Sequence, residues 1–99
     1  MEAITPDSRV QIREGDVLFQ ELQGETVLLN LTTGVYLGLN PIGTRIWRLM
    51  ESKQSLREVL DAMLQEYDVP EEQLTGDVVS LVDKMRANGL VEVRQEQAA

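Results

Sequence analysis

The sequence contains neither cysteine nor histidine. Without cysteine the chain can form no disulfide bond and no thiolate metal site, and a reducing compartment is permitted. Without histidine it lacks the commonest general base and a frequent transition-metal ligand. The Asp and Glu residues are scattered, and no pair of them predicts a catalytic geometry. We therefore expect a protein that is not an enzyme and that holds no metal and no cofactor.

Basic residues are also scarce. Lys and Arg together number 9 against 17 Asp and Glu, which gives a formal net charge of -8. Such a chain repels phosphate backbones and anionic lipid surfaces, because both are normally bound by clustered Lys and Arg. We expect no nucleic-acid partner and no membrane partner, and a basic or neutral partner suits this charge better.

Long apolar runs are missing as well. No stretch approaches the roughly 20 residues that are needed to span a bilayer. The first residues lack the basic and then apolar pattern of a signal peptide. These two features predict a cytoplasmic protein.

The sequence does contain enough apolar residues for a core, since they make up 42% of its 99 residues. A chain of this size buries roughly 60–70% of the surface that its unfolded form exposes. No linker, repeat or low-complexity segment divides it. We predict a single domain over residues 1–99, with a core over about residues 9–93 and flexible ends.

Three strands are predicted in the first half of the chain. Residues 16–22 contain β-formers and precede a Gln-Gly pair that is typical of a turn. Residues 26–31 form the second strand, and Gly34 can supply the positive φ of the next turn. Residues 35–39 form the third strand. Strands linked in this way make an antiparallel meander, and its third strand is an edge with unpaired backbone groups.

Two short segments, near residues 10–12 and 90–93, are rich in apolar residues, and in the first of them apolar and polar residues alternate. Their pattern predicts extended chain but is too short to assign a strand with a partner.

Two helices follow the third strand. The first covers residues 41–52, with Asn40 as its N-cap and Pro41 at its first position, where a missing N–H is harmless. The second covers residues 56–67 and begins with the Ser-Leu-Arg-Glu sequence at 55–58. This sequence predicts a capping box, in which the Ser and Glu side chains accept hydrogen bonds from each other's backbone N–H groups.

A third helix begins between residues 71 and 77 and ends at Asn88, with Gly89 as its C-terminal cap. Its apolar residues spread around more than one stripe, so part of them can line a groove. The sequence therefore predicts an α+β, winged-helix-like fold: a three-stranded antiparallel β-meander followed by three α-helices.

Several residues have both a structural and a functional interpretation. Tyr36 and Trp47 are suited to stack on a ligand, but a chain with only four aromatic residues usually buries them, so we favour core packing. Taken alone, the apolar residues of the third helix are also more typical of a core. The residues concerned are Val78, Leu81, Val82 and Met85.

Two other functions are weakened by particular residues. The third helix of a winged-helix DNA-binding protein reads bases, but here Asp77 and Asp83 offset Lys84 and Arg86, so the helix has no basic excess. An acyl carrier protein needs an Asp-Ser-Leu motif at a helix start, whereas Ser80 lies in the middle of its predicted helix.

Five segments follow one another in a recognisable order. They are VLLNL at 27–31, GVYLGLN at 34–40, GTRIWRL at 43–49, EYDV at 66–69 and, after DV at 77–78, GLVE at 89–92. Over about residues 16–93 this set resembles the PqqD-like family, the recognition elements of ribosomally synthesised, post-translationally modified peptides. The glycines and the tryptophan are most similar to those of the stand-alone leader-binding proteins of lasso-peptide biosynthesis.

The resemblance implies a non-catalytic, winged-helix-like peptide chaperone that binds the leader of a precursor peptide and presents it to a maturation enzyme. In that family the leader adds as a strand to the third β-strand and lies in a groove beside the third helix. Carried onto this chain, the leader-binding residues are Val35, Tyr36, Leu37, Gly38, Leu39, Val78, Leu81, Val82 and Met85.

Three acidic residues lie early in the third helix, where the helix dipole favours negative charge, so a capping role is the default. They can also form an acidic rim that speeds the encounter with a leader carrying Lys or Arg. They are Glu71, Glu72 and Asp77.

The implied partners are a precursor peptide and a maturation enzyme. The enzyme would be a leader peptidase in lasso-type systems, or a radical enzyme with an iron–sulfur cluster in quinone-cofactor pathways. Two alternatives stay open: a winged-helix transcriptional regulator, which needs a basic surface, and a structural subunit of a larger enzyme, which would bind no isolated peptide.

Overall fold

A computed structural model of the protein describes residues 3–13, 15–53 and 55–95. Within these residues the chain forms five strands and three helices. In chain order they are β1 (Ser8–Ile12), β2 (Val17–Leu22), β3 (Glu25–Asn30), β4 (Tyr36–Leu39), α1 (Pro41–Ser52), α2 (Leu56–Glu66), α3 (Glu71–Ala87) and β5 (Val91–Gln95). The predicted α+β class and the predicted order of a meander followed by three helices are confirmed.

The meander is a three-stranded antiparallel sheet with the order β2-β3-β4. Gln23 and Gly24 join the first two strands with φ values of 55° and 81°, which is the two-residue turn that matches the twist of a hairpin. Gly34 has the predicted positive φ, 78°. The third strand starts at Tyr36, one residue later than predicted.

A second sheet was predicted only as two separate extended segments. β1 pairs with β5 in antiparallel register, with Ser8 opposite Gln95 and Ile12 opposite Val91. Ser8 is buried and Ile4 packs against the core, so packed residues extend to the N-terminal side of residue 9. Other parts of the predicted flexible ends, residues 1–2 and 96–99, lie outside the described residues.

Helix α1 begins as predicted, because the Asn40 side chain accepts a hydrogen bond of 2.7 Å from the Gly43 N–H. The capping box predicted for α2 is wrong. Ser55 is the N-cap residue, but its side chain makes no capping hydrogen bond. Its backbone instead forms an isolated antiparallel bridge with Arg9, which fixes the start of α2 against β1.

Helix α3 ends in a Schellman motif, as Gly89 predicted. Gly89 has a φ of 71°, its N–H donates to the Arg86 carbonyl at 3.0 Å, and the Leu90 N–H donates to the Met85 carbonyl at 2.9 Å. These two bonds satisfy carbonyls that a helix end leaves unpaired. The chain is thereby turned directly into β5.

Helix α1 covers one face of the three-stranded sheet, α2 packs against α1 and β1, and α3 packs against α2 and β5 to enclose the core. Trp47 of α1 is fully buried, and its ring meets Phe19 of β2 edge-on, with a centroid distance of 5.7 Å and an interplanar angle of 66°. On α3 the buried residues form one regular stripe at helical spacing. They are Leu74, Val78, Val82 and Met85.

Ion pairs on the surface connect neighbouring elements. Arg45 of α1 donates three hydrogen bonds, of 2.8, 3.1 and 2.6 Å, to the carboxylate of Glu66 at the end of α2. These bonds hold the pKa of Glu66 below its ordinary value. Arg48 contacts Glu21 of β2 at 3.0 Å and lies 5.5 Å from the Phe19 ring centroid. Both pairs are exposed, so their contribution to stability is small.

Asn30, at the end of β3, is buried and connects the sheet to the end of α3. Its Nδ2 donates to the carbonyls of Asn88 at 2.9 Å and Gly89 at 3.4 Å. Its Oδ1 accepts from the N–H groups of Thr32 at 2.9 Å and Thr33 at 3.2 Å. A Cβ on Gly89 would lie only 2.7 Å from the same Nδ2. The contact therefore requires both the amide and the glycine.

We predict that Asn30→Ala lowers the free energy of unfolding by roughly 1–3 kcal/mol, because buried backbone groups lose their partners. Asn88→Ala is the matched control, since it removes one exposed side-chain bond, to the Lys84 carbonyl at 2.9 Å. Urea unfolding followed by Trp47 fluorescence measures both changes. Equal losses in the two variants would contradict the role assigned to Asn30.

Candidate functional site

The site is built on the edge strand β4, whose inner neighbour is β3. Hydrogen-bonded and non-hydrogen-bonded pairs alternate along two antiparallel strands. The Asn30 N–H donates to the Val35 carbonyl at 2.8 Å, and the register places Leu28 opposite Leu37 two residues further along. The backbone groups of Leu37 and Leu39 are therefore directed at β3.

By the same alternation, the N–H and C=O groups of Tyr36 and Gly38 point away from β3. No strand within the described residues pairs with this side of β4. The edge thus presents two donors and two acceptors in the spacing that an added strand needs. Of the two side chains, Tyr36 is 73% exposed, and Gly38 contributes none.

An apolar groove opens at the C-terminal end of β4. It has a volume of about 420 Å³ and lies between the end of the strand, the first turns of α1 and the middle of α3. Its walls are mainly apolar, with the polar side chains of Asn40 and Asp77 among them. The lining includes Leu39, Ile42, Ile46, Asp77 and Leu81.

A second depression, of about 300 Å³, lies at the other end of β4. Val35 and Thr33 border it on the sheet side, and Ala87 and Asn88 border it on the helix side. Helix α3 therefore runs alongside β4 in the opposite direction, from Asp77 at the groove to Asn88 at this depression. We call the space between the free β4 edge and α3 the β4–α3 trough.

The free edge of β4 and the trough beside it have the geometry that an added strand requires. The model of the family described as "Coenzyme PQQ synthesis protein D (PqqD)" matches residues 25–91, which include β3, β4 and all three helices. This chain belongs to the PqqD family. Among curated proteins, none matches it.

Two solved structures are similar to this PqqD-family chain. TbiB1 in complex with the TbiA(beta) leader peptide is 31% identical, with a TM-score of 0.77 over 90% of this chain and 99% of that chain. A lasso peptide synthetase B1 complexed with the leader peptide is 23% identical, with a TM-score of 0.66 over 87% and 98% of the two chains. The second similarity is one of fold alone.

In this PqqD-family chain, the face of α3 that borders the groove differs from the face that was predicted to line it. Val78, Val82 and Met85 were predicted to line the groove, but all three are fully buried in the core. Of the four predicted helix residues, only Leu81 borders the groove. Asp77 and Leu81 border the groove, and Ala87 and the cap residue Asn88 border the depression at the other end of β4.

The three residues of the predicted acidic rim do not all lie at the groove. Asp77 lines the groove, whereas Glu71 and Glu72 are exposed in the first turn of α3 and do not line it. Over residues 3–13, 15–53 and 55–95, no group of three or more acidic side chains could hold a metal ion. Over the same residues, every helix is too short or too polar to cross a bilayer.

Two residues near β4 were misjudged from the sequence. Tyr36 was expected in the core and is exposed, while Trp47 was expected there and is buried. Ile42 was not among the predicted site residues, but it is 48% exposed and lines the groove. The sequence signal for the exposure of Ile42 is its position at the second residue of α1, because the first turn of a helix extends beyond the layer that the helix covers.

We predict that amide exchange distinguishes alternate residues of β4. The Leu37 and Leu39 amides are bonded to β3 and should exchange slowly, whereas the Tyr36 and Gly38 amides face solvent and should exchange at least about tenfold faster. Hydrogen–deuterium exchange measured by NMR tests this pattern, with the Leu28 amide of the central strand as a slow reference. Similar protection at Tyr36 and Leu37 would refute the assignment of the free edge.

Proposed function

We propose that this protein binds the leader of a ribosomally made precursor peptide as an added strand on β4 and presents that peptide to a maturation enzyme. The observation that carries the proposal is the free edge at Tyr36 and Gly38, placed beside an apolar groove. The protein contributes no catalytic group of its own. Its action precedes or accompanies that of the enzyme, in the cytoplasm, where precursor peptides are made.

The comparisons support this function from a second direction. TbiB1, which is 31% identical over nearly its whole length, is a protein with a solved leader-peptide complex. Family membership rests on a match to 67 consecutive positions, residues 25–91. Both β4 and the α3 residues that border the trough lie inside this range.

Strand addition explains how affinity and selectivity arise together. Backbone bonds to Tyr36 and Gly38 give affinity that is independent of the leader sequence. Alternate side chains of an added strand point to opposite faces. One set enters the groove at Leu39, Ile42 and Leu81, and the other set lies over the Tyr36 side of the sheet. Selectivity comes from the apolar side chain that fills the groove.

Asp77 adds an electrostatic preference to this site. It is the acidic residue that lines the groove, and the chain carries a net charge of -8. A leader with Lys or Arg near the groove-filling residue is attracted over a distance of about 8 Å at physiological salt. This attraction acts mainly on the association rate.

The two alternative functions make different demands on the molecule. A DNA-binding regulator needs a basic reading surface, but α3 exposes Glu71, Glu72 and Asp77, and its Arg86 is paired with Asp83 at 2.7 Å. A purely structural subunit would bind no isolated leader. Peptide binding by the purified chain therefore separates the proposal from both alternatives.

Gly38→Pro is the sharpest test of strand addition. Proline at position 38 removes one of the two outward N–H groups of β4 but no bond to β3. Proline is also tolerated on edge strands. We expect the variant to stay folded and to bind a fluorescein-labelled leader from the same locus at least tenfold more weakly. Fluorescence anisotropy measures the affinity, and circular dichroism measures the fold.

Gly38→Ala is the matched control, because it retains the N–H and its Cβ would meet nothing within 4 Å. Leu37→Pro is not suitable, since it removes a bond to β3 and damages the sheet itself. If folded Gly38→Pro bound the leader as tightly as Gly38→Ala, addition to β4 would be excluded.

Two substitutions test the groove, one at an apolar residue and one at a charged residue. Leu81→Asn removes apolar contact, and we expect leader affinity to fall about tenfold at every salt concentration. Asp77→Asn removes a charge, and we expect a smaller loss that disappears as salt rises from 50 to about 500 mM. Anisotropy titrations across this range, with Ser80→Asn as the control on the exposed side of α3, measure both. A loss for Asp77→Asn that is independent of salt would refute the electrostatic role.

A further inference from the structure

Three polar side-chain atoms inside the core have no hydrogen-bond partner within the part of the chain that the structure describes. They are Thr26 Oγ1 of β3, and Thr44 Oγ1 and Trp47 Nε1 of α1. The three residues are between 0% and 5% exposed. A buried polar group without a partner is destabilising, so folded proteins leave few of them, and each one requires an explanation such as a bound water or ion.

Helix α1 crosses the sheet directly over one of these residues. Glu21, Thr26 and Leu39 form one row across the three strands. At one end of the row, a Cβ on Gly43 would lie 3.3 Å from the Leu39 Cβ. At the other end, Arg48 contacts Glu21 at 3.0 Å. The helix segment between Gly43 and Arg48 therefore lies over Thr26, the middle residue of the row.

Thr44 and Trp47 belong to this segment and are both buried. They are three residues apart, which places them on the same side of the helix. The Trp47 ring lies beside the next row of the sheet, since it meets Phe19 edge-on, and the register places Phe19 opposite Leu28. The two hydroxyls and the indole N–H thus converge between β3 and α1, where one bound group can pair with all three.

The layer between β3 and α1 is suited to a small ligand at this point. Two short side chains, Thr26 and Thr44, face each other here, whereas the longer side chains of Leu28 and Trp47 fill the layer beside them. A depression of about 520 Å³ borders Thr26 at the end of the sheet, so solvent has a short route to the site.

Hydrogen-bonding capacity identifies the ligand. An indole N–H can only donate, whereas each hydroxyl can both donate and accept. The three groups are uncharged, so they favour a neutral ligand over an ion. A water molecule can accept a bond from the indole and bond to both hydroxyls, and internal waters typically make about three hydrogen bonds to buried polar groups.

We infer that one internal water molecule binds between β3 and α1, where it accepts a hydrogen bond from Trp47 Nε1 and bonds to Thr26 Oγ1 and Thr44 Oγ1. This inference does not rest on the leader-binding function, since none of the three residues borders the β4–α3 trough. The water lies behind the groove, because Gly43 and Ile46, which line the groove, are the helix neighbours of Thr44 and Trp47. It therefore fixes this wall of the groove against the sheet.

Trp47 is the only tryptophan of the chain, so its indole N–H gives a single NMR signal. In the full chain we expect a cross-peak between water and this indole proton, with the NOESY and ROESY signs of a long-lived contact. Thr26→Val/Thr44→Val removes two of the three partners and keeps the side-chain shape, so the cross-peak should fall at least about fivefold. Thr44→Ser, which keeps the hydroxyl, and Thr75→Val on α3 should both retain the cross-peak.

A crystal structure of the wild type gives a second readout that does not require the variants to fold. We expect one water within about 2.7–3.2 Å of all three atoms. A direct hydrogen bond between the two threonine hydroxyls, with no water beside Trp47 Nε1, would overturn the inference.

Two NMR outcomes would also overturn it. One is a cross-peak that persists unchanged in the folded double variant. The other is a cross-peak that disappears in Thr44→Val but is unchanged in Thr26→Val, since the signal would then come from one exchanging hydroxyl. Failure of the protein to bind any leader would leave these results unaffected and would refute the proposed function alone.

Discussion

The position of the candidate site depends on the side-chain amide of Asn30. One buried group orders the loop before β4 through its oxygen and holds the end of α3 through its nitrogen. The distance between sheet and helix at that end of the trough is thus set by hydrogen bonds. Apolar packing alone permits small sliding movements, whereas a buried amide with partners on both sides has one favourable geometry. The strand edge and helix face are consequently held ready before any peptide arrives.

Local signals in the sequence predicted most of the fold. Helix α1 was found with its correct bounds because Asn40 and Pro41 act within one turn of chain, and Gly34 and Gly89 have the expected positive φ for equally local reasons. The pairing of β1 with β5 was not predicted, because nothing in either short segment specifies a partner some 80 residues away. The capping box at Ser55 failed for a related reason, since a tertiary bridge to Arg9 accompanies that helix start.

Only part of the candidate site could be predicted from the sequence. The edge strand followed from the order of the hairpins, but the direction of each backbone group required the observed register, which fixes Tyr36 and Gly38 as the free residues. The site residues predicted on α3 lay mostly on its core-facing stripe. Val78 and Val82 belong to the most regular apolar stripe, and such a stripe is normally buried. Leu81, whose neighbours on its own face are polar, was the better indicator of the trough.

The pairing of β1 with β5 has a consequence for how this protein can be joined to others. Ser8 and Gln95 are register partners, so the first residue of β1 and the last residue of β5 lie at neighbouring points. A protein with adjacent ends can be inserted into a loop of a larger polypeptide or circularly permuted with little distortion. Here both ends belong to a different sheet from the free edge of β4. A connection made at these points would therefore leave the free edge of β4 unaltered.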